Sequence, residues 1–268
     1  MGVIVEASGR RSVQVEVEVP GTVEEAWRAI ATAEGILSWF VPAEFAMDDV
    51  GQPERIRFNF GPGMASESTV KAWDPPHSFR SVSSDFVEEG APVTTEWRVE
   101  EEASGGCVVR VEHSLYIDSD ERDAHLLGVE AGWPGFFRIL QIYMTDFRGQ
   151  PCSTLEFSAT AAGDAPAWER LASGLGFAGG EEGELRAAPE GAPRFAGRLD
   201  HKPDDTEVTM LLEEPTSGVG HLFAMPADEI QIISVRLYLY GEDAGEVVAR
   251  ELPEWQAWMQ AQFPDEEG

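Results

Sequence analysis

Lysine is almost missing from this chain. Lys71 and Lys202 are the two in 268 residues, and 19 basic side chains in all face 49 acids, for a net charge of −30. Such a surface repels phosphate backbones and anionic lipid headgroups, which makes nucleic acid and membranes poor candidate partners. Acid excess with little lysine reads as a solubility adaptation, with a dedicated acidic docking surface as the alternative. Cysteine is as scarce. Cys107 and Cys152 are too few for a chain of this length to depend on a disulfide, which points to reduced thiols and a cytoplasmic protein. Cys107, beside Val108 and Val109 in a predicted strand, reads as a small core residue rather than a nucleophile. No apolar run approaches the ~20 residues that span a bilayer. The stretch from Met1 to Arg11 has no hydrophobic block before a cleavage site, so export is not expected.

Motifs that carry chemistry are also missing. His77, His113, His125, His201 and His221 do not pair with each other, with cysteine or with carboxylates at a metal-ligand spacing, so no metal and no cofactor is expected. No nucleophile elbow, Walker loop or dinucleotide fingerprint follows a strand. Gly61-Pro62-Gly63 is a turn, because Pro62 cannot donate the backbone N–H that a phosphate cradle needs. The acid runs Glu100-Glu101-Glu102 and Glu181-Glu182 fall at loops and read as solvated surface. His113 stands apart. Alternation along Val109, Val111, His113 and Leu115 puts it on the apolar face of its strand, either as a hydrogen-bonded core residue or as a polar anchor or acid/base group.

What the chain does have is a 43% hydrophobic content, with 10% aromatic residues, enough to build real cores in one large or two small domains. Val13, Val15, Val17 and Val19 alternate with Gln14, Glu16 and Glu18, marking a strand with one buried face. A helix is predicted over 22–33, with Thr22 as N-cap and Glu24 and Glu25 in its first turn. A helical turn follows near 35–39, then strands near 44–48, 54–60, 66–73, 78–87, 93–101 and 106–116. A last helix enters at Gly132-Trp133, with Pro134 in its first turn and Phe136, Leu140, Tyr143 and Phe147 as one stripe.

Three stretches in this order carry a resemblance. Val15-Glu16-Val17-Glu18-Val19-Pro20, then Val23-Glu24-Glu25-Ala26-Trp27-Arg28-Ala29-Ile30, then Trp39-Phe40-Val41-Pro42 resemble the N-terminal signature of one branch of the START-like (SRPBCC, helix-grip) superfamily, the Hsp90 ATPase activator homologues. Val70-Lys71-Ala72-Trp73-Asp74-Pro75-Pro76 is similar to the family's strand ending in an acid-proline turn, and Gly132-Trp133 to the start of its long C-terminal helix. The match covers residues 10–148. It implies an α+β helix-grip fold, a curved antiparallel sheet around a long C-terminal helix, with a cavity between them.

Residues 151–268 repeat the order in shortened form, and either a degenerate second START-like unit or an unrelated α+β extension fits. A strand over 155–160 precedes a short helix from Ala167 with Asp164 as its N-cap. Strands near 184–188, 195–200, 206–213, 219–225 and 230–240 follow, and a closing helix has Pro253 in its first turn. The boundary is placed at Gln150-Pro151, giving domains 1–150 and 151–268.

Candidate site residues are the aromatics that would face the cavity, Trp39, Phe58, Phe60, Trp73, Phe79, Trp97, Tyr116, Trp133 and Phe136, together with His113. A stripe of aromatics is also how any sheet packs on a helix. Arg57 and Arg98 could counter an anionic ligand or pair with nearby carboxylates. The leading expectation is non-catalytic binding of a small apolar or amphipathic molecule. A polyketide cyclase/dehydratase-like enzyme using His113 and Tyr116 is the first alternative, and a chaperone-associated protein-binding module the second.

Overall fold

A computed structural model describes residues 3–6, 8–61, 64–84, 92–103, 105–116, 123–163, 166–227 and 229–264, without the side chains at 116, 123–125, 127 and 129. The chain divides into two compact units, Met1–Arg148 and Gly149–Gly268.

In the first unit the valine alternation becomes β2 (Arg10–Val19), whose valines are buried while Glu16 and Glu18 face water. A short β1 (Ile4–Val5) pairs with its start. The acids behind Thr22 do what their positions suggest. Thr22 and Glu25 form a reciprocal capping box at the head of α1 (Val23–Ala31), which buries Trp27 and Ile30. Thr32 caps the next turn, α2 (Ala33–Leu37). Then come β3 (Ala43–Met47), β4 (Pro53–Gly61), β5 (Met64–Asp74), β6 (Ser78–Ser83), β7 (Val93–Glu101) and β8 (Cys107–Tyr116). The strand expected over 78–87 runs partly outside the described residues, as do Pro62 and Gly63 of the expected turn. All neighbours are antiparallel, in the order β1-β2-β8-β7-β6-β5-β4-β3, so the first long strand lies beside the last. The fold is α+β: a curved antiparallel sheet closed by a long helix, α3 (Asp123–Ile142), which ends in a π-helical turn, Tyr143–Phe147.

That helix corrects the sequence reading. It begins well before Gly132-Trp133, and Pro134 is interior rather than in the first turn. Proline there denies the Glu130 carbonyl its usual N–H partner. Packing upstream holds the extra turns in place: Leu126 is buried with Val13, Val93 and Leu115.

The second unit has β9 (Cys152–Ala162), α4 (Ala167–Gly174), β10 (Leu185–Ala187), β11 (Ala196–His201), β12 (Glu207–Glu214), β13 (Gly218–Ala227), β14 (Ile230–Tyr240) and α5 (Ala244–Gln262). Its sheet order is β10-β11-β12-β13-β14-β9, so here too the first strand pairs with the last. Asp164, expected as a cap, lies outside the described residues, and the residue before α4 is Pro166. Pro253 is again interior, because Ala244 and Val247 are buried upstream of it and extend the helix toward the core. Leu171, Phe195, Leu199, Val235, Leu237 and Trp255 pack as one core between sheet and helices.

Candidate ligand-binding cavity

Between the sheet of the first unit and α3 lies a cavity of about 190 Å³. That exceeds the ~150 Å³ that accommodates benzene and falls short of the ~300 Å³ where drug-sized sites begin. The space therefore suits one or two rings.

Aromatic rings make one wall. Phe40, from the loop after α2, sits 4.6 Å edge-on to Phe136 and 5.2 Å in a stack with Trp133. Phe58 and Phe60 of β4 meet Phe40 edge-on at 5.8 and 5.9 Å. Phe79 and Trp97, cross-strand partners on β6 and β7, stack at 6.2 Å. Such offset and T-shaped pairs are the favoured ring geometries.

Hydroxyls make the other wall. Ser66 and Ser68 of β5, Ser81 and Ser83 of β6 and Thr95 of β7 all line the space. Ser81, Thr95 and His113 are in register across three adjacent strands. Ser66 and Ser83 approach to 3.4 Å, and the Ser68 hydroxyl donates to the Ile56 carbonyl. Ser81 is 4% exposed.

His113 is tied at both ring nitrogens. The Trp133 indole N–H donates to its Nε2 at 3.0 Å, and Nδ1 lies 3.0 Å from Thr95 Oγ1. An indole N–H can only donate, so Nε2 accepts and the neutral ring carries its proton on Nδ1, donating to Thr95. The hydrogen of the Thr95 hydroxyl is then left to donate elsewhere. Among the described residues no charged side chain lines the cavity. Arg98 pairs with Glu96 at 2.9 Å, and Arg57 is exposed and lies off the wall.

Of the residues singled out from the sequence, Phe58, Phe60, Phe79, Trp97, His113, Trp133 and Phe136 come together here. Two do not. Trp39 is buried behind the wall, stacked on Phe40, and its indole N–H donates to the Ala29 carbonyl at 2.9 Å, which ties α1 to the following turn. Trp73 lies beyond a bulge in β5 and packs edge-on against Trp27 at 5.0 Å. Tyr116 ends β8, and its side chain is outside the described residues. The serines, Thr95, Phe40, Gly128 and Gly132 were missed. The signal was present in the alternation of Phe79, Ser81 and Ser83 and of Thr95 and Trp97, where small hydroxyls take inward positions. Cys107 is buried, burial pushes its thiol pKa up, and it stands apart from the cavity.

Among the described residues no group of three histidines, cysteines or carboxylates is placed to hold a metal ion, and no helix is long and apolar enough to cross a membrane.

A curved antiparallel sheet gripping a long C-terminal helix, with a hollow between, is the START-like (SRPBCC, helix-grip) architecture, and the first unit has that fold. Within it, residues 10–138 match the family model described as polyketide cyclase / dehydrase and lipid transport. Solved structures of similar fold include DynU16, from the dynemicin biosynthetic locus, at 20% identity over 94% of this chain and 96% of that one, TM-score 0.43. Others are the di-domain ARO/CYC BexL from the BE-7585A biosynthetic pathway, at 15% identity over 94% and 93%, TM-score 0.46, and an Aha1 dimer from Colwellia psychrerythraea, at 17% identity over 52% and 98%, TM-score 0.39. No curated protein matches the chain.

Proposed function

We propose that the first unit binds a small, uncharged, ring-bearing molecule in the cavity under α3 without transforming it. The observation that carries this reading is the pairing of an aromatic wall with a row of hydroxyls around a hollow of about 190 Å³ that no charged side chain lines among the described residues. The rings supply apolar contact, and the Ser81 and Thr95 hydroxyls would orient an acceptor oxygen on the ligand. A histidine engaged at both nitrogens is poorly placed as a general base, since its lone pair is already spent on Trp133. Residues 151–268 are read as a shortened second copy of the same design, with the domain boundary at 148–149.

Native mass spectrometry of the freshly purified chain tests this, together with titration by 2-naphthol. Binding should occur with one site per chain and be lost in a Trp97→Ala, Phe136→Ala double variant. A wild-type protein that carries nothing and takes up no ring probe would sink the reading.

A cyclase or dehydratase-like enzyme is the second reading, favoured by the family matched over residues 10–138. It requires His113 to be released from Trp133 or Thr95 when substrate enters. A His113→Gln variant that turned over a poly-ketone chain as fast as the parent would remove it.

A further inference from the structure

We propose that Gly128 and Gly132 set the size limit of the molecule the cavity admits. The proposal rests on the reading of the cavity as a binding site. Both glycines lie inside α3, where glycine costs roughly 1 kcal/mol against alanine. Something must offset that cost. A special backbone conformation does not: both residues are helical, and neither has a positive φ. Close packing does not either. A Cβ built at Gly128 or Gly132 meets no described atom within 4 Å, whereas at Gly35 it would lie 2.0 Å from the Arg28 carbonyl oxygen and at Gly106 2.8 Å from that of Val19. What remains is the space itself. Four residues apart, the two glycines share a helix face with Phe136 one turn further on, and all three line the cavity. Both glycines are exposed, while Trp133 between them and Phe136 is buried, so they stand on the rim where side chains would narrow the opening.

A separate observation points to an occupant. Ser81, 4% exposed, lines the same space together with Ser66, Ser68, Ser83 and Thr95. A row of hydroxyls on one wall suits a ligand that carries an oxygen to meet it. The molecule admitted is thus flat, uncharged and oxygen-bearing, and its girth is bounded by what the absent side chains at 128 and 132 leave open.

The test compares Gly128→Leu and Gly132→Leu with Ala131→Leu, which places the same side chain at an exposed position of the same helix. Two probes are titrated into the full chain: 2-naphthol by calorimetry and the bulkier N-phenyl-1-naphthylamine by fluorescence. Each glycine variant should weaken the bulky probe about tenfold or more, the scale at which a pocket rejects excess size. Both should leave 2-naphthol within about threefold, and Ala131→Leu should match the parent on both probes. If the parent accepts 2-naphthol alone, the leucine variants must instead weaken that probe. Gly132→Ala serves where a leucine variant fails to fold. It should raise Tm while shifting the affinity ratio toward the smaller probe. Folded glycine variants that bind the larger accepted probe like the parent overturn the size limit and leave the binding reading standing. A parent that takes neither probe overturns both.

Discussion

Aligning α3 and α5 on their internal prolines, Pro134 and Pro253, sets Gly128 against Val247, Gly132 against Glu251 and Phe136 against Trp255. In both units the first long strand pairs with the last strand, and both close on a proline-bearing helix. Their interiors differ. In the first unit the helix positions that line the cavity carry two glycines on its rim and a half-buried ring. In the second, Val247 and Glu251 are buried, and Trp255 is fully enclosed, stacked on Phe157 at 5.7 Å and edge-on to Phe195 at 5.9 Å. At these matched helix positions one architecture therefore leaves space in the first unit and packs side chains in the second.

The largest effect expected from this contrast is at Trp255. Trp255→Ala removes a ring packed on all sides and should cost ~3–5 kcal/mol. Phe60→Ala trims a half-exposed ring at the cavity wall and should cost under ~1.5 kcal/mol, because part of its contact is already with empty space. Urea unfolding of the full chain reads both, and equal costs would erase the distinction.

Alkali should act next. Burial pushes the Cys152 thiol up to about 12 and raises the Tyr238 phenol as well, even though Arg236 opposes the rise there. The sign follows from which form burial favours. Both groups are neutral when protonated, so the folded state keeps its full stability below the unfolded thiol pKa of about 8.5. Above that the unfolded chain sheds the proton first, and stability should fall by up to about 1.4 kcal/mol per pH unit for each such group until its folded pKa is reached. Urea midpoints at intervals from pH 8 to 11 should show the decline, and Cys152→Ala should flatten it. An unchanged slope in that variant would acquit the thiol.

Thr95→Val tests the polar wall of the hollow unit. It leaves the His113 Nδ1–H without its acceptor, at a cost of ~1–3 kcal/mol. It should also weaken 2-naphthol binding, whereas Thr209→Val in the second unit, at a buried hydroxyl with no partner among the described residues, should leave binding untouched. The smallest effect is the most diagnostic. Gly132→Ala should stabilise by ~0.5–1 kcal/mol through helix propensity. Gly174→Ala should destabilise, because its Cβ would lie 2.7 Å from the Trp258 ring. Opposite signs for one substitution would separate the open unit from the filled one.

The sequence was most readable where a pattern has one physical cause. Valines alternating with acids in β2 admit little but a half-buried strand, and Thr22 with Glu25 little but a helix start. The aromatics were readable as inward-facing, but not whether they enclosed a space or filled it. That depends on what the facing helix omits, and an omission at Gly132 looks in one dimension like the start of a helix. Ser81 and Ser83 were lost for the opposite reason. Serine in a strand is usually assigned to the wet face, yet here the inward parity that buries Phe79 buries them too. Pro134 misled because proline commonly opens helices, and only burial of Leu126 upstream reveals that the helix started earlier.

The bond from Trp133 to His113 has a practical corollary. An indole that lines the cavity with its N–H fixed on an imidazole should change its emission if a bound molecule replaces water beside it. Its colour and intensity would make this tryptophan a native dye for occupancy, usable without any label attached.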